Sequence, residues 1–402
     1  MANVSSSNGL EKRPKLRFPG FDEPYVLYRI GDIYAERSER GAADMELLSV
    51  TMNGGVMQRS EIEGKDNSSE DKSNYKVVRK GDMVYNSMRM WQGANGVSSY
   101  DGIVSPAYTV LTAKVSICNE YFAALFKNYK LINEFRKNSQ GMTSDTWNLK
   151  YPQIETIKVY LPEVAEQEKV ASMLVTLDKR IAAQATLVEQ LKKYKRGVMQ
   201  RIFRNMSMLS PSGFETVQLS AIFKKISRRN SNEEIKNVIT NSAEYGLIPQ
   251  RDFFDKDIAV DGNTSNYYVI EHGDFVYNPR KSNTAPYGPF NRYEREERGI
   301  ISPLYTCLVL QADIEPSYLA WYFKSDAWYR YIYDNGSQGV RHDRVSMTDG
   351  LLRGIPVIIP SKEAQLKIAK LLDCLESRFQ TELSQYESLK SIRVALLQQL
   401  FI

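Results

Sequence analysis

Two stretches of this 402-residue chain carry the same heptad seam, 198 positions apart. Steps of four and three from Val170 give Val170, Leu174, Leu177, Ile181, Gln184, Val188, Leu191, Lys195, Val198 and Ile202. The same steps from Ile368 give Ile368, Leu372, Leu375, Phe379, Glu382, Tyr386, Leu389, Arg393, Leu396 and Leu400. Eight of ten positions are apolar each time, and the two polar interruptions fall at the same places. This spacing predicts an amphipathic helix that must bury a narrow stripe along its length. Both stretches lack proline, Gly197 is their only glycine, and each begins just after a proline, Pro162 or Pro360. Ser361 is a candidate N-cap with Glu363 close behind. About 40 residues at 1.5 Å each make a rod of roughly 60 Å. Two rods of equal length and matched seam bury each other most simply as an antiparallel pair. Gln184 with Glu382, and Lys195 with Arg393, are then placed to set the register. The competing arrangement folds each helix back on its own globular unit.

The duplication extends beyond the rods. Lys80–Asn86 reads KGDMVYN, and His272–Asn278 reads HGDFVYN, 192 residues on. Val104–Thr109 matches Ile301–Thr306 at a shift of 197, and Ser139-Gln140-Gly141 matches Ser337-Gln338-Gly339 at 198. Two units of about 147 residues, 16–162 and 214–360, are therefore expected to share a frame. The G-D pair suits a tight turn into a strand. Strands are expected at Lys76–Val78, Met83–Tyr85, Tyr108–Leu111 and Ile157–Tyr160. Their echoes are Tyr267–Ile270, Phe275–Tyr277, Tyr305–Leu310 and Val357–Ile359. One helix fits Asn119–Lys137 and its echo fits Pro316–Tyr333. Val50–Glu70 and Asn241–Ser265 show no useful similarity and read as private loops. The fold class is thus α/β: two similar mixed α/β domains separated by two long antiparallel helices, a pseudo-twofold internal repeat. The expected division is 1–162, a first domain; 163–203, a first spacer helix; 204–213, a linker; 214–360, a second domain; and 361–402, a second spacer helix.

Chemistry is sparse. Cys118, Cys307 and Cys374 are far apart with no C-x-x-C spacing, so reduced thiols are expected and a zinc site is not. His272 and His342 are the only histidines, which argues against a histidine triad or a multi-histidine metal centre. Asn278-Pro279-Arg280 lacks the second proline and the aromatic ring of an amino-methyltransferase loop, and no phosphate-binding G-x-x-x-x-G-K-[ST] occurs. Glu63-Gly64-Lys65 is a bare tripeptide without the partner carboxylate of a nuclease. No apolar run of about 18 residues is present and the first nine residues are polar, so a cytoplasmic protein without membrane contact is expected. The net charge of +5 permits a polyanion partner without establishing one.

The distribution of polar residues says more. In the first unit Lys127, Arg136 and Lys137 crowd the helix, and Ser139, Gln140 and Thr143 follow in a polar loop. In the second, Lys324 precedes Ser337, Gln338, Arg341 and Arg344. After the repeated Tyr-Asn come Arg89 and Gln92, or Arg280, Lys281 and Asn283. These side chains bond base edges and phosphates, and they are the candidate DNA contacts. An ordinary solvated helix end would look the same at any one position. Tyr85 and Tyr277 read as core.

The doubled order resembles that of the DNA-specificity subunit of type I restriction-modification systems. The resemblance rests on Pro14–Phe21, the two G-D-x-V-Y-N strands, and the two I/L-P segments that lead into Glu166-Gln167-Glu168-Lys169-Val170-Ala171 and Ala364-Gln365-Leu366-Lys367-Ile368-Ala369. The second copy has Ala364-Gln365 where the family has Glu-Gln. The resemblance implies two target-recognition domains, each reading half of a bipartite, asymmetric site in double-stranded DNA, with the helices as spacer. It implies a subunit without a catalytic site and without a cofactor of its own. Its partners would be two methyltransferase subunits using S-adenosylmethionine and a motor-nuclease subunit using ATP and magnesium. Two other readings stay open on the residues alone: a coiled-coil scaffold that binds only proteins, and a self-contained DNA-modification enzyme.

Overall fold

The computed structural model describes residues 12–41, 44–52, 54–66, 68–144, 146–206, 213–252, 264–336 and 344–402. Contacts divide the chain into two units, Met1–Thr186 with Ser384–Ile402, and Leu187–Leu383. Among the described residues, no helix is long and apolar enough to cross a membrane.

In the first unit the KGDMVYN segment builds the centre of the fold. The Asp82 carboxylate accepts the Arg79 backbone N–H at 2.8 Å and is gripped by Arg37 Nε at 2.8 Å, which ties the turn to a neighbouring strand end. Strand Met83–Asn86 then lies inside an antiparallel sheet ordered Tyr34–Glu36, Tyr108–Ala113, Met83–Asn86, Asn95–Val97. Successive side chains take opposite faces. Met83 and Tyr85 join the cluster of Phe122, Phe126 and Phe135 on the helix side. Val84 joins Leu48, Val50, Val56 and Val104 on the other. That second face is the hairpin Leu48–Thr51/Gly55–Gln58 and the pair Lys76–Val78/Gly102–Val104, joined through a parallel bridge from Leu47 to Ile103. Each buried large side chain stabilises the unit by about 1.5–3 kcal/mol.

The second unit repeats this. Asp274 accepts the Glu271 N–H at 2.8 Å and pairs with Arg228. Burial raises its pKa above the usual carboxylate range, although Arg228 and the Glu271 N–H pull the other way. Strand Phe275–Tyr277 sits third in the order Phe223–Lys225, Thr306–Leu310, Phe275–Tyr277, Phe290–Arg292. Phe275 and Tyr277 face Phe290, Phe323 and Trp328, while Val276 faces Ile239, Leu247 and Ile301. The motif is written twice because a strand between two apolar layers needs an apolar residue at every position, and its turn needs the carboxylate.

Two expectations are corrected. The helix expected over Asn119–Lys137 is two helices, Asn119–Leu125 and Tyr129–Asn138. Asn128 is buried between them: its side chain accepts the Lys130 N–H at 2.9 Å as an N-cap and donates to the Leu397 carbonyl at 2.7 Å. Likewise Pro316–Tyr333 splits into Pro316–Lys324 and Tyr329–Asn335 at the buried Ser325, whose hydroxyl donates to Tyr322 O at 2.6 Å. Nor are Val50–Glu70 and Asn241–Ser265 wholly private. Val238–Ser242/Gly246–Pro249 followed by a 3-10 turn at Gln250–Asp252 matches Leu48–Thr51/Gly55–Gln58 followed by Arg59–Glu61. A hairpin needs only a turn glycine and alternate apolar residues, here Val56 and Leu247, so its sequence drifts freely around them.

The two long helices run Val164–Arg204 and Lys362–Gln399, and all twenty seam positions are buried or half-buried. In the first unit Val170, Ala171 and Leu174 share a cluster with Leu397, Leu400 and Phe401. In the second, Ile202 and Phe203 cluster with Ile368 and Leu372. The start of one helix thus meets the end of the other in each unit, as an antiparallel pair demands. Arg393 Nη2 lies 3.1 Å from Asp178 Oδ2 in the first unit, and Lys195 pairs with Glu376 in the second. Asp178 and Glu376 are 198 positions apart, as are Lys195 and Arg393, so this is one ion pair written twice. The residue numbers of each pair add to 571, so both units hold the helices in the same register.

The segment entering each helix is also duplicated. Buried Gln167 accepts the Cys118 N–H at 3.1 Å and donates to Pro162 O at 3.0 Å; buried Gln365 accepts the Glu315 N–H at 2.9 Å and donates to Pro360 O at 2.9 Å. Each glutamine locks its long helix to the helix of the globular part. Glu166 is buried under a bidentate Arg17 clamp, 2.9 and 2.8 Å, and the Tyr25 hydroxyl at 3.2 Å. The second copy has buried Ala364 at that position.

Candidate nucleic-acid interface

Two loops in each unit carry the sequence candidates, and the fold brings them together. In the first unit Asn86, at the end of the central strand, accepts the Met88 N–H on its side chain at 3.0 Å, turning the chain into the loop that bears Arg89 and Gln92. The Leu149 N–H donates to Ser87 O at 2.8 Å, and Gln140 and Asn148 pair backbone to backbone. The loop with Ser139, Gln140 and Thr143 is therefore stitched to the loop with Arg89. Gly141 makes this closure possible: a Cβ there would lie 2.6 Å from the Thr146 carbonyl oxygen. In the second unit Asn278 accepts the Arg280 N–H at 3.0 Å, and Val345 N–H donates to Pro279 O at 2.9 Å. Gly288 lets the loop close on Asn278, whose carbonyl oxygen would lie 2.0 Å from an added Cβ. Beneath it Asn241, Asn278 and Asn291 form a buried amide network, with Asn291 Nδ2 to Asn241 Oδ1 at 2.7 Å.

Arg89, Arg136, Lys137, Gln140, Thr143, Arg280, Lys281 and Asn283 are exposed, and Gln92, Ser139 and Arg344 are half-buried. Among the described residues, no carboxylate pairs with the side chains of Arg89, Arg280 or Lys281. Lys137 is held by Glu134 at 2.7 Å, and the Ser139 hydroxyl donates to Phe135 O at 2.8 Å. The Arg136 guanidinium lies over the Trp91 ring at 5.7 Å. Ser337, Gln338 and Arg341 lie outside the described residues.

Lys127 and Lys324 occupy a different place. Lys127 lines a cleft of about 520 Å³ with Asp178 and Arg393; Lys324 lines one of about 860 Å³ with Glu376 and Lys195. Burial pushes the Lys127 ammonium below its usual range, and Arg393 adds to the effect. The sequence reading missed the aromatic pair Trp91–Trp147, edge to face at 5.3 Å, which packs the two loops of the first unit together. Two tryptophans, one on each of the two loops, are the signal that marks it.

Residues 25–193 match the family model described as the Type I restriction modification DNA specificity domain. Over those residues the chain is similar to that family. It is 30% identical over 130 residues to the Type I restriction enzyme MjaVIII specificity subunit of Methanocaldococcus jannaschii. That match spans 32% of this chain and only 29% of the curated relative's length. Among solved structures, the Type-I restriction-modification system S subunit from M. genitalium is similar over 97% of this chain and 99% of its own, with TM-score 0.57 and 15% identity. The HsdS subunit from Thermoanaerobacter tengcongensis is similar over 97% and 98%, with TM-score 0.50 and 15% identity. A chain from a structure of complex assembly and conformational transition of the type I R-M system is similar over 95% and 98%, with TM-score 0.55 and 16% identity. At these identities the likeness is one of fold, and it runs through nearly the whole chain.

Proposed function

We propose that this chain is the non-catalytic DNA reader of a type I restriction-modification complex. Each unit reads one half of a bipartite, asymmetric duplex site through its pair of stitched loops. The chain docks two methyltransferase subunits, which bring S-adenosylmethionine, and a motor-nuclease subunit, which brings ATP and magnesium. It acts in the cytoplasm and holds no cofactor itself. The observation that supports this reading is one frame built twice, with unlike loops that carry exposed cations at the same place in each copy. A shared frame with different loop chemistry is what two readers of different half-sites require. Sequencing of methylated DNA from a host expressing the chain with its methyltransferase should return a two-part motif. Duplex binding by the assembled complex should weaken steeply with salt, with a log–log slope near −0.9 for each phosphate neutralised. A flat salt response would replace this reading with a protein-binding scaffold, and methyl transfer by the purified chain alone would replace it with an enzyme.

A further inference from the structure

The stitched loops of the two units differ in chemistry. In the second, Arg280-Lys281-Ser282-Asn283-Thr284 is polar and exposed throughout. In the first, Met142 is 100% exposed and Met88 39% exposed. The Trp91 indole N–H donates to Met88 O at 3.0 Å, and Trp91 packs on Trp147. Thr146 closes on Gly141, which places Met142 and Trp147 across one tight loop. Met88 and Trp91 stand on one of the stitched loops, Met142 and Trp147 on the other. Exposed Arg89 follows Met88, and the exposed Arg136 guanidinium lies over Trp91. Apolar side chains held in water beside cations fit a polyanion that itself offers an apolar group. In the major groove of duplex DNA that group is the 5-methyl of thymine. Methionine is well suited to it, being unbranched, polarizable and able to adjust to a small convex surface.

We propose that the first unit reads at least one thymine of its half-site through the methyl group, against the exposed Met88 and Met142 of its two stitched loops. The exposed loop Arg280–Thr284 of the second unit offers hydrogen bonds instead. This rests on the DNA-reading function proposed above and names the chemistry of one half-site.

The test uses the full chain with its methyltransferase partners and duplexes carrying the methylated site. Each thymine is exchanged in turn for deoxyuridine, which removes only the methyl. At one thymine, in one half-site, binding should weaken about fourfold, the effect of withdrawing one buried methyl. A Met88→Ser/Met142→Ser double variant should bind uridine and thymine duplexes equally at that position, whereas Arg280→Ala should keep the difference. Indifference to uridine at every thymine of both halves would overturn the inference, as would full sensitivity persisting in the double methionine variant. Failure of the complex to bind the unsubstituted duplex would overturn the DNA-reading function itself, and this inference with it. Because Met88 and Met142 are exposed, the double variant leaves the core untouched.

Discussion

At the scale of single residues, the two copies act as controls for one another. Gln167 and Gln365 do the same work in both, each satisfying one backbone N–H and one carbonyl in a buried corner. Glu166 has no such twin: the second copy places Ala364 there and dispenses with the clamp. The corner therefore does not require an acid, but an acid once present requires its cation. Glu166→Ala alone leaves the nearly buried Arg17 guanidinium without its carboxylate, and should cost about 3 kcal/mol in chemical denaturation of the full chain. Replacing both residues, Glu166→Ala with Arg17→Leu, should recover most of that loss. Equal losses in the single and double variants would mean that the clamp is more than a matched pair. Asp82 and Asp274 show the opposite pattern, with the carboxylate, the turn and the arginine retained together in both copies.

At the scale of elements, the central strands and the long helices are alike in the two units, and the loops they carry differ. Arg280 stands exposed on a loop pinned by Asn278 and Val345. Arg280→Ala should cost about 1–3 kcal/mol of duplex affinity and relax the motif in one half-site only, read from methylated-DNA sequencing. Relaxation in both halves would contradict separate reading by the two units. The strands were legible because a doubly covered strand is apolar at every position, and the helices because their seam repeats with its interruptions in place. The break at Asn128 was not: the segment keeps its helical periodicity across the break, and only a tertiary bond to Leu397 shows why the asparagine caps there. The shared hairpin at 48–58 and 238–249 escaped notice because so few of its residues are constrained. Of the site, the polar candidates could be named from loop chemistry. Their joining could not, since it depends on Leu149 meeting Ser87 and Val345 meeting Pro279 across more than 60 residues of chain.

At the scale of the whole molecule, the duplicated ion pair turns the spacer proposal into a measurable one. Asp178–Arg393 and Glu376–Lys195 pin the helices at two points of one register. An insertion between positions 178 and 195 in one helix alone would shift one pin against the other and break the seam. Matched insertions, one there and one between 376 and 393, keep both pins and lengthen both rods alike. Four residues add about 6 Å and turn the helix only about 40° beyond a full revolution. If the paired helices set the separation of the half-sites, the unread gap in the methylated motif should grow by one or two base pairs, at roughly 3.4 Å per pair. The bases read in each half should stay the same, because neither stitched loop is touched. A folded variant that still directs methylation to the original gap would show that something other than the helices measures the distance. One that changes the bases themselves would show that the loops depend on helix length.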